Sequence, residues 1–284
     1  MGVHPRRVAR AVAVALIVWM AGGAGLAQTV RHDTGQDVAP AFEGWERKDD
    51  GSYDFVFGYL NRNYEEQVDI AIGSENFFDS GPQDRGQPTH FYVRRQRFIF
   101  RVAVPREWEK TRRLTWTLTS HGRTNQAKGW LQPEWELSPG VISENNGGGV
   151  LEAGNTPPTV SGGTAETVTL PNALTLSTTA TDDGLPKPRP RRTPSPDALA
   201  AAAVNPDAPV RPPEGLRIRW THYRGAGKVT FDPDRSTGTF TYPTTQTTSV
   251  RFGAPGTYLV RAFAGDGQLE TTRDITVTVK PASP

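Results

Sequence analysis

Asp50-Gly51-Ser52-Tyr53-Asp54-Phe55-Val56-Phe57-Gly58-Tyr59 is the stretch that decides the fold of this chain. Asp-Gly is a preferred two-residue hairpin turn, because its positions need positive φ values that these residues tolerate. Beyond the turn, Tyr53, Phe55, Phe57 and Tyr59 fall on every second position, and Trp45 lies on the other side of it. Period two is the signature of a half-buried strand, whose successive side chains point to opposite faces.

The same period recurs outward from this hairpin. Val68, Ile70 and Ile72 alternate, then Phe91 and Val93, then Phe98, Phe100, Val102 and Val104 up to Pro105. Leu114, Trp116 and Leu118 form a further run, and Trp130 to Leu137 a last one. Residues 73–89, rich in Gly, Ser, Asp and Pro, read as a long loop. Many short strands in so short a span predict a sandwich or barrel over residues 42–143, behind a flexible lead at 28–41.

Asn145-Asn146-Gly147-Gly148-Gly149 interrupts the pattern, and residues 144–154 read as an interdomain linker. A second all-β pattern fills 155–281. It runs through Leu174 and Leu176, Ile218 and Trp220, Val250 and Phe252, Tyr258 and Val260, and closes on Ile275, Val277 and Val279. Residues 184–215 hold nine prolines and the basic cluster Lys187, Arg189, Arg191 and Arg192. That composition buries too little apolar surface to offset its ordering entropy, and predicts a disordered insertion between two strands. The fold class expected is therefore all-β: two tandem β-sandwich domains.

At the N-terminus, Arg6, Arg7 and Arg10 precede an apolar run from Ala11 to Ala21 and the small-residue stretch Gly25-Leu26-Ala27. This order is that of a signal peptide, residues 1–27, cleaved after Ala27. The apolar run is short for a membrane-spanning helix of ~20 residues, so the mature chain is expected to lack a membrane span and to be periplasmic or extracellular. Cleavage removes three arginines and no acid, which takes the formal charge from +2 to −1. Without a clustered basic face the chain is not expected to bind nucleic acid. There is no cysteine, so an exported fold must rest on its cores alone.

Residues 155–280, apart from the insertion, resemble the PKD-like, immunoglobulin-type sandwich modules of secreted bacterial proteins. The resemblance rests on Asn155-Thr156-Pro157-Pro158 at the entry, Thr181-Asp182-Asp183-Gly184, Trp220 on a central strand, Pro255-Gly256-Thr257-Tyr258, and Ala264-Gly265-Asp266-Gly267. It implies that Trp220 fills the sandwich centre and that Tyr258 is a corner tyrosine. It also implies a calcium site at Asn155, Asp182 and Asp183, the residues where some such modules bind the ion. Asp-Asp-Gly is equally ordinary turn chemistry. Residues 42–143 resemble an uncharacterised family of exported bacterial proteins, on Phe57-Gly58-Tyr59-Leu60-Asn61-Arg62, Asp84-Arg85-Gly86-Gln87-Pro88-Thr89-His90 and Trp116 to Gly122. That resemblance implies no activity.

No constellation for catalysis stands out. Ser120 and His121 are adjacent on a strand pattern and so face opposite ways, and no Gly-x-Ser-x-Gly elbow occurs. The histidines of the mature chain, His32, His90, His121 and His222, lie far apart in sequence. Whether His90 and His121 converge is left open. Five of the seven tryptophans fall in the first domain. Trp130 and Trp135, flanking Pro133, are the candidates for an exposed ligand platform. The reading is a non-enzymatic extracytoplasmic binding or interaction protein, with a polysaccharide or a protein as partner. A carbohydrate-active or other hydrolase with a cleft in the first domain, and a structural spacer in an envelope assembly, are the alternatives.

Overall fold

The computed structural model describes residues 31–188 and 212–282, with 195–197, 199, 200, 205 and 207 between them. The segment read as a signal peptide, and half of the insertion including Ala201–Ala203, lie outside the described residues. Among the described residues no helix is long and apolar enough to cross a membrane.

The first lobe is built on the hairpin of β1 (Val38–Arg47) and β2 (Tyr53–Asn61). Gly51 has φ +82°, and Asp50 accepts hydrogen bonds from the Ser52 amide and hydroxyl at 2.9 and 2.6 Å. β3 (Val68–Asp69), β4 (Asn76–Phe78), β5 (His90–Phe91), β6 (Arg94–Val104), β7 (Leu114–Ser120) and β8 (Arg123–Gly129) follow. They form the sheets β1-β2-β6, β4-β7-β8 and β3-β5. The alternating rings face one another across the layers: Phe55, Phe57, Phe78, Phe91, Phe100 and Trp116 are all buried in one core. Trp116 donates its indole N–H to Asn76, 3.0 Å, whose amide donates to the carbonyls of Ile70 and Pro88. One buried asparagine thus holds the 70–89 loop against the core.

Four features differ from the sequence reading. β1 begins at Val38, inside the expected flexible lead, with Asp37 and Val38 already buried. Pro40 makes this stretch look unlike a strand, but proline is tolerated because β1 is an edge. Asn76–Phe78 pairs with β7 inside the expected long loop, as a strand too short to show a period. β8 is a polar strand whose inward positions are only Ala127 and Gly129, so it carries no hydrophobic alternation. Trp130 to Leu137 is not a strand; Pro133–Trp135 makes a 3-10 turn.

The helix α1 (Pro139–Asn145), capped by Ser138, leads into the glycine segment. Gly148 lies so close to the second lobe that a Cβ there would sit 2.5 Å from the Gly267 carbonyl. Gln268 donates to the carbonyls of Val150 and Gly148, at 2.7 and 3.3 Å. The linker is stitched down.

The second lobe comprises β9 (Thr159–Gly162), β10 (Ala165–Thr169), β11 (Leu174–Thr181), β12 (Arg217–Arg224), β13 (Val229–Asp232), β14 (Thr244–Phe252), β15 (Gly256–Gly265) and β16 (Glu270–Lys280). Two four-stranded sheets, β10-β16-β15-β12 and β13-β14-β11-β9, make the sandwich, and β10 alone runs parallel to its partner, β16. Trp220 and Tyr258 sit in its core as the resemblance implies. The Tyr258 hydroxyl donates to the carbonyls of Ala254, 2.8 Å, and Ala226.

The lobes meet along β12. Tyr223 belongs to the core of the first lobe and donates its hydroxyl to the Gly86 carbonyl, 2.6 Å. Arg224 forks onto Asp84 at 2.7 and 2.9 Å, and Arg261 reaches the Ile99 carbonyl, 2.9 Å. The described residues from Asp33 onward accordingly form one compact unit.

Candidate functional site

The aromatic groove is shaped by a backbone detail of β1. The register slips between Phe42 and Gly44, and Gly44 adopts φ +140°. A Cβ there would sit 2.4 Å from the Trp135 carbonyl. Glycine therefore lets the 133–137 segment lie directly on the strand, anchored by the Leu137 amide on the Trp45 carbonyl, 2.8 Å. Trp135, 38% exposed, stacks on Phe42 and on Trp130 with ring centroids 5.4 and 5.7 Å apart. Beside this stack opens a cavity of about 420 Å³ walled by Trp45, Tyr53, Trp130, Arg47, Lys110 and Arg113. Its size is that of small-molecule sites, roughly 300–1,000 Å³.

Of the two tryptophans singled out in the sequence, Trp130 lines the groove and Trp135 backs it. The cations were not legible as a set, because Arg47 comes from β1 and Lys110 and Arg113 from the β6–β7 loop, with no shared motif. Arg113 lies 5.0 Å from the Trp130 ring centroid, and Arg47 lies 5.5 and 5.4 Å from the centroids of Trp45 and Tyr53. Guanidinium groups over ring faces are held by the ring quadrupole. Glu136 is the one acid among the described lining residues, and Arg47 pairs with it at 3.5 Å. The groove offers apolar faces and positive charge, but not the two carboxylates that glycoside hydrolysis needs.

In the second lobe, Asn155 and Asp182 are joined by a residue not singled out as a ligand, Asp266. Each carries a buried oxygen without a hydrogen-bond partner: Asn155 Oδ1, Asp182 Oδ1 and Asp266 Oδ2. Burial pushes the Asp266 carboxyl up to about 6, and the Asp182 charge adds to the shift. Burial likewise raises Asp182, with the Asp183 charge contributing. Asp183 itself is engaged elsewhere. It accepts from the Thr156 amide and hydroxyl at 2.7 and 2.6 Å and from the Leu185 amide at 2.8 Å. Burial opposes its ionisation, but those bonds prevail and lower its pKa. Asp266 lies in Ala264-Gly265-Asp266-Gly267, whose pattern marks the fold and carries no ligand signal of its own.

A third cluster lies where the lobes meet. The pairing of β3 with β5 sets Asp69 opposite His90. His90 Nδ1 is 2.7 Å from Asp69 Oδ1, and its Nε2 is 2.9 Å from Gln67 Oε1. The ring partner of His90 is His222 of β12, stacked at 4.4 Å, and His121 pairs instead with Glu66 at 3.2 Å. His121-Gly122 forms the β7–β8 turn with φ +47° and +72°, and Ser120 Oγ accepts from the Val38 amide, so the Ser-His pair is structural. His222 is 2% exposed, and neither ring nitrogen has a hydrogen-bond partner. Burial, and then the neighbouring His90, lowers its pKa to about 4.

No protein-family model matches the chain, and no curated protein matches it in sequence. Solved structures resemble it at low identity. Domains 4 and 5 of the S-layer protein SbsC match at 12% identity and TM-score 0.26, covering 60% of this chain and 65% of that fragment. The PKD domain of human KIAA0319 matches at 19% and 0.22, covering 46% and 91%. The fibronectin(III)-like modules of Clostridium thermocellum CbhA match at 12% and 0.23, covering 90% and 93%. At such scores these likenesses carry no argument about what the chain binds.

Proposed function

We propose that this chain is an exported, non-enzymatic binding protein that holds a segment of acidic polysaccharide in the groove of its first lobe. The observation that carries this reading is the groove itself, where Trp45, Tyr53 and Trp130 share one cavity with Arg47, Lys110 and Arg113. A pyranose ring has an apolar face that packs on an aromatic ring, and its carboxylate or sulfate matches a guanidinium fork. The second lobe acts as a partner sandwich that takes a calcium ion. Asn155, Asp182 and Asp266 supply the buried oxygens that such a hard cation prefers, with further ligands from backbone carbonyls and water. The ion offsets the repulsion between Asp182 and Asp266.

Titration calorimetry against uronic-acid, sulfated and neutral oligosaccharides tests the reading. Binding of an acidic oligosaccharide should weaken at least about tenfold, one factor of 1.4 kcal/mol, in Trp130→Ala. Arg113→Ala should weaken acidic ligands and leave neutral ones unchanged. Equal binding of acidic and neutral sugars, or none, would remove the assignment.

A further inference from the structure

We propose that Asp69, His90 and His222 form a binding site for one divalent transition-metal ion that ties the two lobes together. One donor atom from each of the three lies within 4.8 Å of those of the other two. Asp69 and His90 come from β3 and β5 of the first lobe, and His222 from β12 of the second. The residues are 21 and 132 positions apart along the chain, which is why no spacing motif announced them.

An independent observation points to a ligand. His222 is almost wholly buried, yet both its ring nitrogens lack a partner. A buried polar group without a partner is rare and calls for an explanation. The backbone of Arg224 and Gly225 lies near the His222 ring without forming a hydrogen bond of ordinary geometry with it. Its own backbone amide donates to the Tyr92 hydroxyl, 2.9 Å, and the Tyr258 hydroxyl is used by carbonyls. His90 stacks on the ring and is itself bonded to Asp69 through Nδ1 and to Gln67 through Nε2.

The donor set selects the metal. Two imidazole nitrogens and one carboxylate oxygen suit zinc, nickel, cobalt or copper, whereas calcium and magnesium prefer oxygen alone. The two rings stack at an interplanar angle of 27°. Binding therefore requires His90 to give up Gln67 and turn its Nε2 beside His222, with Asp69 closing the third position. Asp69 is half exposed, so the ion has a path in and water has a path to the fourth position. Thr89, next to His90, accepts from Gly225 and donates its amide to the Tyr223 carbonyl, 3.1 Å. A bond across His90 and His222 thus fastens the seam at its centre.

Untagged mature chain, stripped with chelator, is titrated with zinc, and cobalt is added separately for its visible d–d spectrum. The expected result is one zinc per chain, a higher unfolding midpoint, and intense four-coordinate cobalt bands. Asp69, 51% exposed, stands at the solvent edge and His90, 10% exposed, just beneath it, and His90→Gln and Asp69→Asn are conservative changes that keep a polar side chain at each position. Each should weaken zinc at least about tenfold, since loss even of outer-shell partners does as much, and should abolish the cobalt bands. Asp182→Asn, in the proposed calcium site, should leave zinc affinity unchanged. Failure of the chain to bind zinc, or binding that survives both His90→Gln and Asp69→Asn, would overturn the proposal. Neither result bears on the groove, whose sugar binding is read separately.

Discussion

The first lobe fills its interior with rings, and the second with aliphatic side chains around Trp220, Tyr258 and Phe252. In the first, Phe57, Phe78, Phe91, Phe100 and Trp116 form a chain of edge-on and stacked contacts with centroids no more than 6.3 Å apart, and Phe55 meets Trp108 edge-on at 5.7 Å. Val250, Val260, Ile218, Ile275 and Val277 dominate the second. Large rings pack well but tile irregularly, so the first lobe needs three small sheets and a buried asparagine to close its gaps. Aliphatic residues on regular strands close a sandwich without such help. The irregular lobe gathers several rings at one surface groove, whereas the second lobe exposes Phe240 among its described residues. In the regular lobe the strain is electrostatic instead, in the unpaired oxygens of Asn155, Asp182 and Asp266.

The contrast is broken most forcefully at its two tryptophans. Trp116→Ala and Trp220→Ala should each cost about 3–5 kcal/mol, as for large buried aromatics, measured by denaturant unfolding. A loss below about 1 kcal/mol, the range of surface sites, at either position would mean that its core is not closed around the ring. Tyr223→Ala asks whether the lobes are one cooperative unit. Tyr223 is a residue of the second lobe buried in the first lobe's core, so its truncation should split a single transition into two. A single transition of unchanged midpoint would show that β12 is not what couples them.

Next in size is calcium. Millimolar calcium should raise the unfolding midpoint of the chain, and Asp266→Asn or Asp182→Asn should abolish that response. In chelator the same variants should be as stable as the natural chain or more so, because a buried charge is removed. A calcium response that persists in both variants would return the ligands to Asp183. Asp37, at the start of β1, supplies the pH test. Burial opposes its ionisation, but hydrogen bonds from Asn125 and Arg62 prevail and hold its pKa below the usual value. A depressed folded-state pKa contributes stability above the unfolded value near 3.8 and loses it as pH falls further. Asp37→Asn should therefore cost about 1–3 kcal/mol at neutral pH, and less below pH ~4. Equal loss at both pH values would mean that the charge is not what matters there.

The smallest effect is expected from the insertion. Asp207 pairs with Arg94 at 2.7 Å, both partly exposed. Deleting residues 189–211 and rejoining the strands should change stability by no more than about 1 kcal/mol, the range for such pairs plus a shorter loop. A larger loss would show that the insertion packs on the first lobe.

Much of the fold was legible wherever rings or branched residues alternate, as in Tyr53–Tyr59, Phe98–Val104 and Leu114–Leu118. It was not legible where the inward residue is small, as in β8 with Ala127 and Gly129, or where a strand of three residues is too short for a period, as in β4. Trp130, Asn155 and Asp182, which stand as proposed ligand residues, are conspicuous in the sequence because their local motifs are dense. Asp266 lies in a segment, Ala264-Gly265-Asp266-Gly267, whose pattern marks the fold and carries no ligand signal of its own.

By itself, then, the sequence determined the strand class, the Asp50-Gly51 hairpin, the second lobe's Trp220 and Tyr258, and the aromatic richness of the first lobe. These depend on local periodicity and turn chemistry, which neighbouring residues specify. Tertiary structure alone decided that Arg113 lies over Trp130, that Asp266 joins Asp182, and that His90 meets His222 rather than His121. Each of these pairs is made by sheet register and by the packing of β12 across the lobes. Such contacts join residues that carry no mark of one another along the chain.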